Sequence, residues 1–226
     1  MNLNDNKLIL DSSGSIIVPK TIGLGVKVDT TNPDFGWKDL IGQINVHTGG
    51  VTEPTPTALR GGGVLLWNFQ AGDKIDYMVF HMPHDYVPNT TTYIHVHWTH
   101  NGTAISGSFV ATFNVMYCKG FNQASQTFND TTAIVPVITT ATANITAFPR
   151  YGHFISEVAL SSAGGSATTI DTGLLEPDGL ILFSMTMTTI PTISGGASNN
   201  PFIMAIDIHY QSTQLSTKNR TFPFYT

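Results

Sequence analysis

The run Tyr93-Ile94-His95-Val96-His97-Trp98-Thr99-His100 sets two imidazoles two positions apart among β-branched and aromatic residues. Side chains two apart share a face of a strand, so His95 and His97 stand close enough to ligate one metal ion. His81-Met82-Pro83-His84-Asp85-Tyr86 supplies further donors, and five of the eight histidines fall between positions 81 and 100. Three arrangements would use them. Three copies of His95 and His97 meeting on a threefold axis would give an octahedral metal six nitrogens. One subunit gathering His95, His97 and a distant ligand would resemble a cupin-type metalloenzyme, but Trp98-Thr99-His100-Asn101 lacks the Glu expected after the pair, and the matching downstream Gly and His motif is missing. The third arrangement is structural: His95 and His97 hydrogen-bond across a sheet to Asp85 or Asp207, in a polar cluster with His81, His84 and His209. We adopt the third, which expects no resident cofactor, and keep a metal ion at His95 and His97 as the alternative.

Other catalytic signatures do not assemble. The sequence contains no glycine-rich phosphate loop and no Gly-x-Ser-x-Gly elbow. Glu53, Glu157 and Glu176 are the only glutamates and lie far apart in sequence, which gives no basis for a glycosidase pair. Cys118 is the single cysteine, so an internal disulfide is excluded, and its place at the end of an apolar alternating run reads as a small buried or half-buried side chain. The expectation is a protein without enzymatic activity.

The elements that would hold the histidines read as strands. From Gly61 onward, short apolar or alternating runs are separated by turn residues: Val64 to Phe69, Lys74 to His81, Thr92 to Thr99, Gly107 to Cys118, Ala133 to Thr139, Arg150 to Leu160, Gly179 to Thr189 and Phe202 to Gln211. About eight strands suit a jelly-roll-like β-sandwich. Within Thr92 to Thr99, Ile94, Val96 and Trp98 form the core face and Tyr93, His95, His97 and Thr99 the other. Phe109, Ala111, Phe113, Val115 and Tyr117 repeat this logic. Leu180, Leu182 and Met187 cannot all face one way, so their strand is covered on both faces or bulged.

The first 60 residues read differently, as an arm of short apolar pieces among Gly, Pro and Asn. Asn32-Pro33-Asp34 resembles a helix start, and Trp37, Leu40, Ile41 and Ile44 follow at helical spacing, predicting one short amphipathic helix near 33–42. Glu53-Pro54-Thr55-Pro56 is a stiff extended connector. The organisation expected is therefore an arm over 1–60, a sandwich over 61–216 and a tail over 217–226, whose Phe222, Phe224 and Tyr225, together with Trp37, are candidate assembly contacts.

Composition narrows the partners. Charged residues are 11% of the 226, against about 25% in an average soluble domain. Uncharged Thr, Ser, Asn and Gly must then keep the surface wet, and such groups cost less than ions to bury against a neighbour. A net charge of -5 with scattered Lys and Arg argues against nucleic acid. No stretch approaches the roughly 20 apolar residues of a membrane helix, and Met1-Asn2-Leu3-Asn4-Asp5-Asn6-Lys7 does not read as a secretory signal. Synthesis in the cytoplasm, without membrane attachment, is expected.

Several segments carry a resemblance: Phe80 to Pro88, Tyr93 to Trp98, Tyr117-Cys118-Lys119-Gly120-Phe121-Asn122-Gln123, Asp207-Ile208-His209-Tyr210-Gln211-Ser212-Thr213, Asp34 to Gly42 and the Lys218 to Tyr225 ending. Together they resemble virion structural proteins of tailed bacteriophages, from about residue 33 to the end. The resemblance implies a virion component without catalysis, assembled with the major capsid protein or other virion proteins. With the arm, the sandwich and the tail, the expectation is a homotrimeric capsid decoration or cement protein. A tail or neck fibre module that contacts a receptor is the alternative.

Overall fold

The structure, a computed structural model, describes residues 9–10, 16–17, 35–121, 127–128, 132–134, 137–138, 148–213 and 220. The chain divides into two compact units, Met1–Asp34 and Phe35–Thr226. In the first, Ile9–Leu10 pairs antiparallel with Ile16–Ile17.

The second unit is all-β, with no helix among the described residues, and is built on two six-stranded antiparallel sheets. In one sheet, Phe109–Cys118 lies between Thr132–Ile134 and Leu180–Thr189, followed by Lys74–His81 and Asn45–Val46, with Val137–Ile138 also on Phe109–Cys118. In the other, Tyr93–Thr99 lies between Phe154–Ala159 and Phe202–Ser212, followed by Leu65–Asn68 and Thr55–Ala58, with Gly36–Ile41 also on Phe202–Ser212. Period-two alternation drives both sheets. Ile75, Met78 and Phe80, then Phe109, Phe113 and Val115, then Ile181, Phe183 and Met187 turn inward from the first sheet. Ile94, Val96, Trp98, Ile206 and Ile208 turn inward from the second, and all of these residues belong to one continuous apolar cluster. This is the two-layer architecture in which each sheet buries its oily face on the other.

All eight expected strands are present, with Ala133 to Thr139 divided into two short pieces. In Leu180–Thr189 the inward positions are Ile181, Phe183, Met185 and Met187, leaving Leu180 and Leu182 half-buried on the outer face. The expected irregularity is a register shift against Lys74–His81 between Phe183 and Met185.

The predicted helix near 33–42 is corrected. Residues 36–41 form a strand, antiparallel to Phe202–Ser212 with Asp39 opposite His209 and Ile41 opposite Asp207. The helical spacing of Trp37, Leu40, Ile41 and Ile44 was a local signal, and pairing to a long central strand overrides local propensity. Thr55 and Pro56 of the expected connector Glu53-Pro54-Thr55-Pro56 lie in a further strand, Thr55–Ala58, paired to Leu65–Asn68. Residues 36–58, read from sequence as part of the arm, thus supply strands to both sheets. Phe222, Phe224 and Tyr225 lie outside the described residues.

Candidate functional site

The register of four strands builds a polar patch on the face of the second sheet that points away from the core. His95 has Glu157 opposite it on Phe154–Ala159 and Asp207 opposite it on Phe202–Ser212. Asp207 in turn faces Ile41, so Glu157, His95, Asp207 and Ile41 form one row across the sheet. The next row sets Tyr93 beside His209, and His209 beside Asp39. Directly opposed side chains on such a ladder have Cβ atoms about 4.5–5.5 Å apart, within reach of one another. His95, Asp207 and His209 are buried even though they stand on the side opposite the core, so Phe202–Ser212 is covered on both faces.

The contacts are short. Glu157 Oε2 lies 2.9 Å from His95 Nε2, and Asp207 Oδ1 lies 3.4 Å from His95 Nδ1. Asp207 Oδ2 is 2.5 Å from His97 Nε2, and the other nitrogen of that ring, Nδ1, is 2.7 Å from His153 Nε2. His209 Nδ1 approaches His95 Nε2 at 3.3 Å, and its Nε2 lies 3.7 Å from Asp39 Oδ1. Arg220 pairs with Glu157 through its guanidinium, which also lies 4.1 Å over the Tyr93 ring. Trp37 packs edge-on against His209 with centroids 5.1 Å apart.

Burial, followed by the neighbouring His95, pushes His209 down to about 4 and so keeps it neutral. Burial alone would raise Glu157, but hydrogen bonds from His95 and Arg220 outweigh it and hold the carboxyl below its usual range. Asp39 is raised by burial and then by the charge of Asp207. The exposed ring of His153 is lowered by partial desolvation and by His97.

The seven residues expected in one polar cluster fall into separate places. His95, His97, Asp207 and His209 are brought together. Asp85 is not their partner: its carboxylate accepts from Lys38 Nζ at 2.7 Å, Ser212 Oγ at 2.6 Å and Tyr210 Oη at 3.2 Å. Tyr210 and Ser212 alternate with His209 along the strand, so they turn to the opposite face. His81 pairs with Asp178 at 2.8 Å on an exposed part of the other sheet, and His84 is exposed in the loop that follows. Trp37, expected as an assembly contact, packs on His209 and Tyr93 of its own chain. Sequence reasoning missed Asp39, His153, Glu157 and Arg220. None carried a readable signal: in Phe154-Ile155-Ser156-Glu157 the apolar Ile155 shares the outward face with Glu157 while the polar Ser156 is buried, so all four required the strand register.

Two sets of donor atoms lie close enough to share an ion: His95, His97 and Asp207, and Asp39, His95 and His209. No family model matches the chain, and no curated protein matches it. Among the described residues, no helix is long and apolar enough to cross a membrane.

Proposed function

We propose that the chain is a structural, non-enzymatic virion protein of the tailed-phage kind, acting as a homotrimeric decoration or cement protein bound to the major capsid protein. The observation that carries the reading is an apolar row on the outward face of the first sheet. Val79 stands opposite Leu182, and Leu182 opposite Met116, across three adjacent strands. Tyr77 flanks the row, and Tyr77 and Val79 are 54% and 47% exposed. Contiguous outward apolar side chains on a chain this poor in charge suit a face covered by another protein. The filled core suits the same reading, since bulky rings such as Trp98, Phe109, Phe113 and Phe183 occupy the space between the sheets. The sequence resemblance supplies the virion context.

The test is a size measurement of purified protein, followed by rebinding to capsids that lack it. Val79→Asp should leave the unfolding midpoint nearly unchanged and abolish both trimer formation and capsid binding. A wild-type protein that is a monodisperse monomer and fails to bind such capsids overturns the reading.

A further inference from the structure

We infer that His95 Nδ1, His97 Nε2 and the Asp207 carboxylate form, within one subunit, a binding site for a divalent first-row transition-metal ion of the zinc class. The inference does not rest on the virion reading.

The first argument is a mismatch of donors and acceptors. Glu157 Oε2 can only accept when ionised, so the contact of 2.9 Å places a proton on His95 Nε2. In the neutral ring His95 Nδ1 is then a lone pair, and it points at Asp207 Oδ1, 3.4 Å away. That oxygen is fully buried and accepts no hydrogen bond among the described residues, on a residue only 2% exposed. Two acceptors facing each other in a buried site repel, so the pair calls for a cation, supplied either by a second proton on His95 or by a metal ion held between the two atoms. Charge points the same way: among the described residues the patch holds three carboxylates, Asp39, Glu157 and Asp207, and one guanidinium, that of Arg220, which pairs with Glu157.

The second argument is spacing and support. Metal bonds of about 2.1 Å set ligand atoms roughly 3.0–3.4 Å apart in octahedral or tetrahedral geometry. The His95 to Asp207 separation of 3.4 Å already meets this. The His97 to Asp207 contact of 2.5 Å is a hydrogen bond and must open by roughly 0.5–1 Å, an adjustment that a rotamer change of either side chain supplies. Each imidazole ligand is also backed by a partner on its other nitrogen, which is how metal-bound histidines are oriented. Glu157 stands behind His95, and His153 stands behind His97 at 2.7 Å. On binding, the proton on His97 Nε2 is released to water, and the proton that His153 Nε2 donates to His97 Nδ1 passes to that nitrogen, leaving His153 Nε2 as the acceptor. The exposed His153 ring exchanges its own proton with water. Two imidazoles and a carboxylate select a borderline metal such as Zn²⁺ over Mg²⁺ or Ca²⁺, and the partly exposed His97 gives it entry.

The experiment is calorimetric titration of the chelator-stripped full chain with ZnCl₂, with Co²⁺ absorption as a second readout and MgCl₂ as the comparison. One zinc per chain is expected, with no Mg²⁺ binding. Asp207→Asn and His97→Gln should each weaken zinc by more than about tenfold, and Glu157→Gln by roughly 10- to 100-fold through loss of orientation. His81→Gln, remote from the site, should change nothing. His97→Gln alters a partly exposed ring, so it keeps the test valid should Asp207→Asn fail to fold. Absence of zinc binding, binding unaffected by His97→Gln, or one zinc per three chains would overturn the inference.

Discussion

Replacing Trp98 by alanine probes the assignment of faces on which both the core and the polar patch depend. The indole is fully buried on the side of Tyr93–Thr99 opposite the histidines. It stacks on Phe109 with centroids 5.1 Å apart and tilts against Phe154 at 4.9 Å. Its Nε1–H donates to Ser156 Oγ at 2.8 Å. Removing roughly 200 Å² of buried apolar surface corresponds to about 5 kcal/mol at 25 cal/mol per Å². Stranding the Ser156 hydroxyl adds about 1 kcal/mol, while partial collapse of the neighbouring rings recovers some of the loss. The expected cost is therefore about 3–5 kcal/mol, a large share of the roughly 5–15 kcal/mol that holds an ordinary domain together. Trp98→Phe retains most of the volume and loses the hydrogen bond, so about 1–2 kcal/mol is expected. Urea unfolding read by circular dichroism and by fluorescence gives both numbers from midpoint and slope. A loss below about 1 kcal/mol for the alanine variant would mean that the indole is outside the core and that the histidine face has been assigned to the wrong side.

Two further outcomes are expected. Gly196→Ala would bring a Cβ within 2.4 Å of Asn101 Oδ1 and 2.6 Å of the Asn101 carbonyl oxygen, so thermal melts should show a loss of about 1–3 kcal/mol, and an unchanged melting temperature would contradict this packing. For Asp85, burial raises the pKa, but hydrogen bonds from Lys38, Ser212 and Tyr210 outweigh it and hold the carboxyl below its usual range. Its contribution to stability is complete above the unfolded-state value of about 3.9 and is lost as pH falls through the lower folded-state value. Stability measured from pH 5 downward should therefore fall more steeply for the wild type than for Asp85→Asn, and parallel curves would contradict the assignment.

The parts of the fold legible in the sequence were those in which one strand's own alternation carries the information. Ile94, Val96 and Trp98 against His95 and His97 needed no partner strand to be sorted, and neither did Phe109, Phe113 and Val115. Gly36–Ile41 was misread because Trp37, Leu40, Ile41 and Ile44 fit a helical stripe, and only pairing with Phe202–Ser212 selects the extended form. The polar patch was half legible for the same reason. His95 and His97 announce themselves two residues apart, whereas Glu157 lies 62 residues from His95 and Asp207 lies 110 from His97. Register, which no local pattern encodes, brings them together. Asp85 was the converse error: close in sequence to the histidine strand, it is held by Lys38 and Ser212 instead.

Pro56 has a consequence for how this protein can stick to itself. It lies in Thr55–Ala58, the strand at one edge of the second sheet, opposite Trp67. A proline brings no N–H, so the row of donors that an incoming strand would zip onto is broken there, and Pro54 just upstream offers none either. Fibril-like lengthening through that border is disfavoured. A second copy of the chain would have to add at another border or meet this one through side chains.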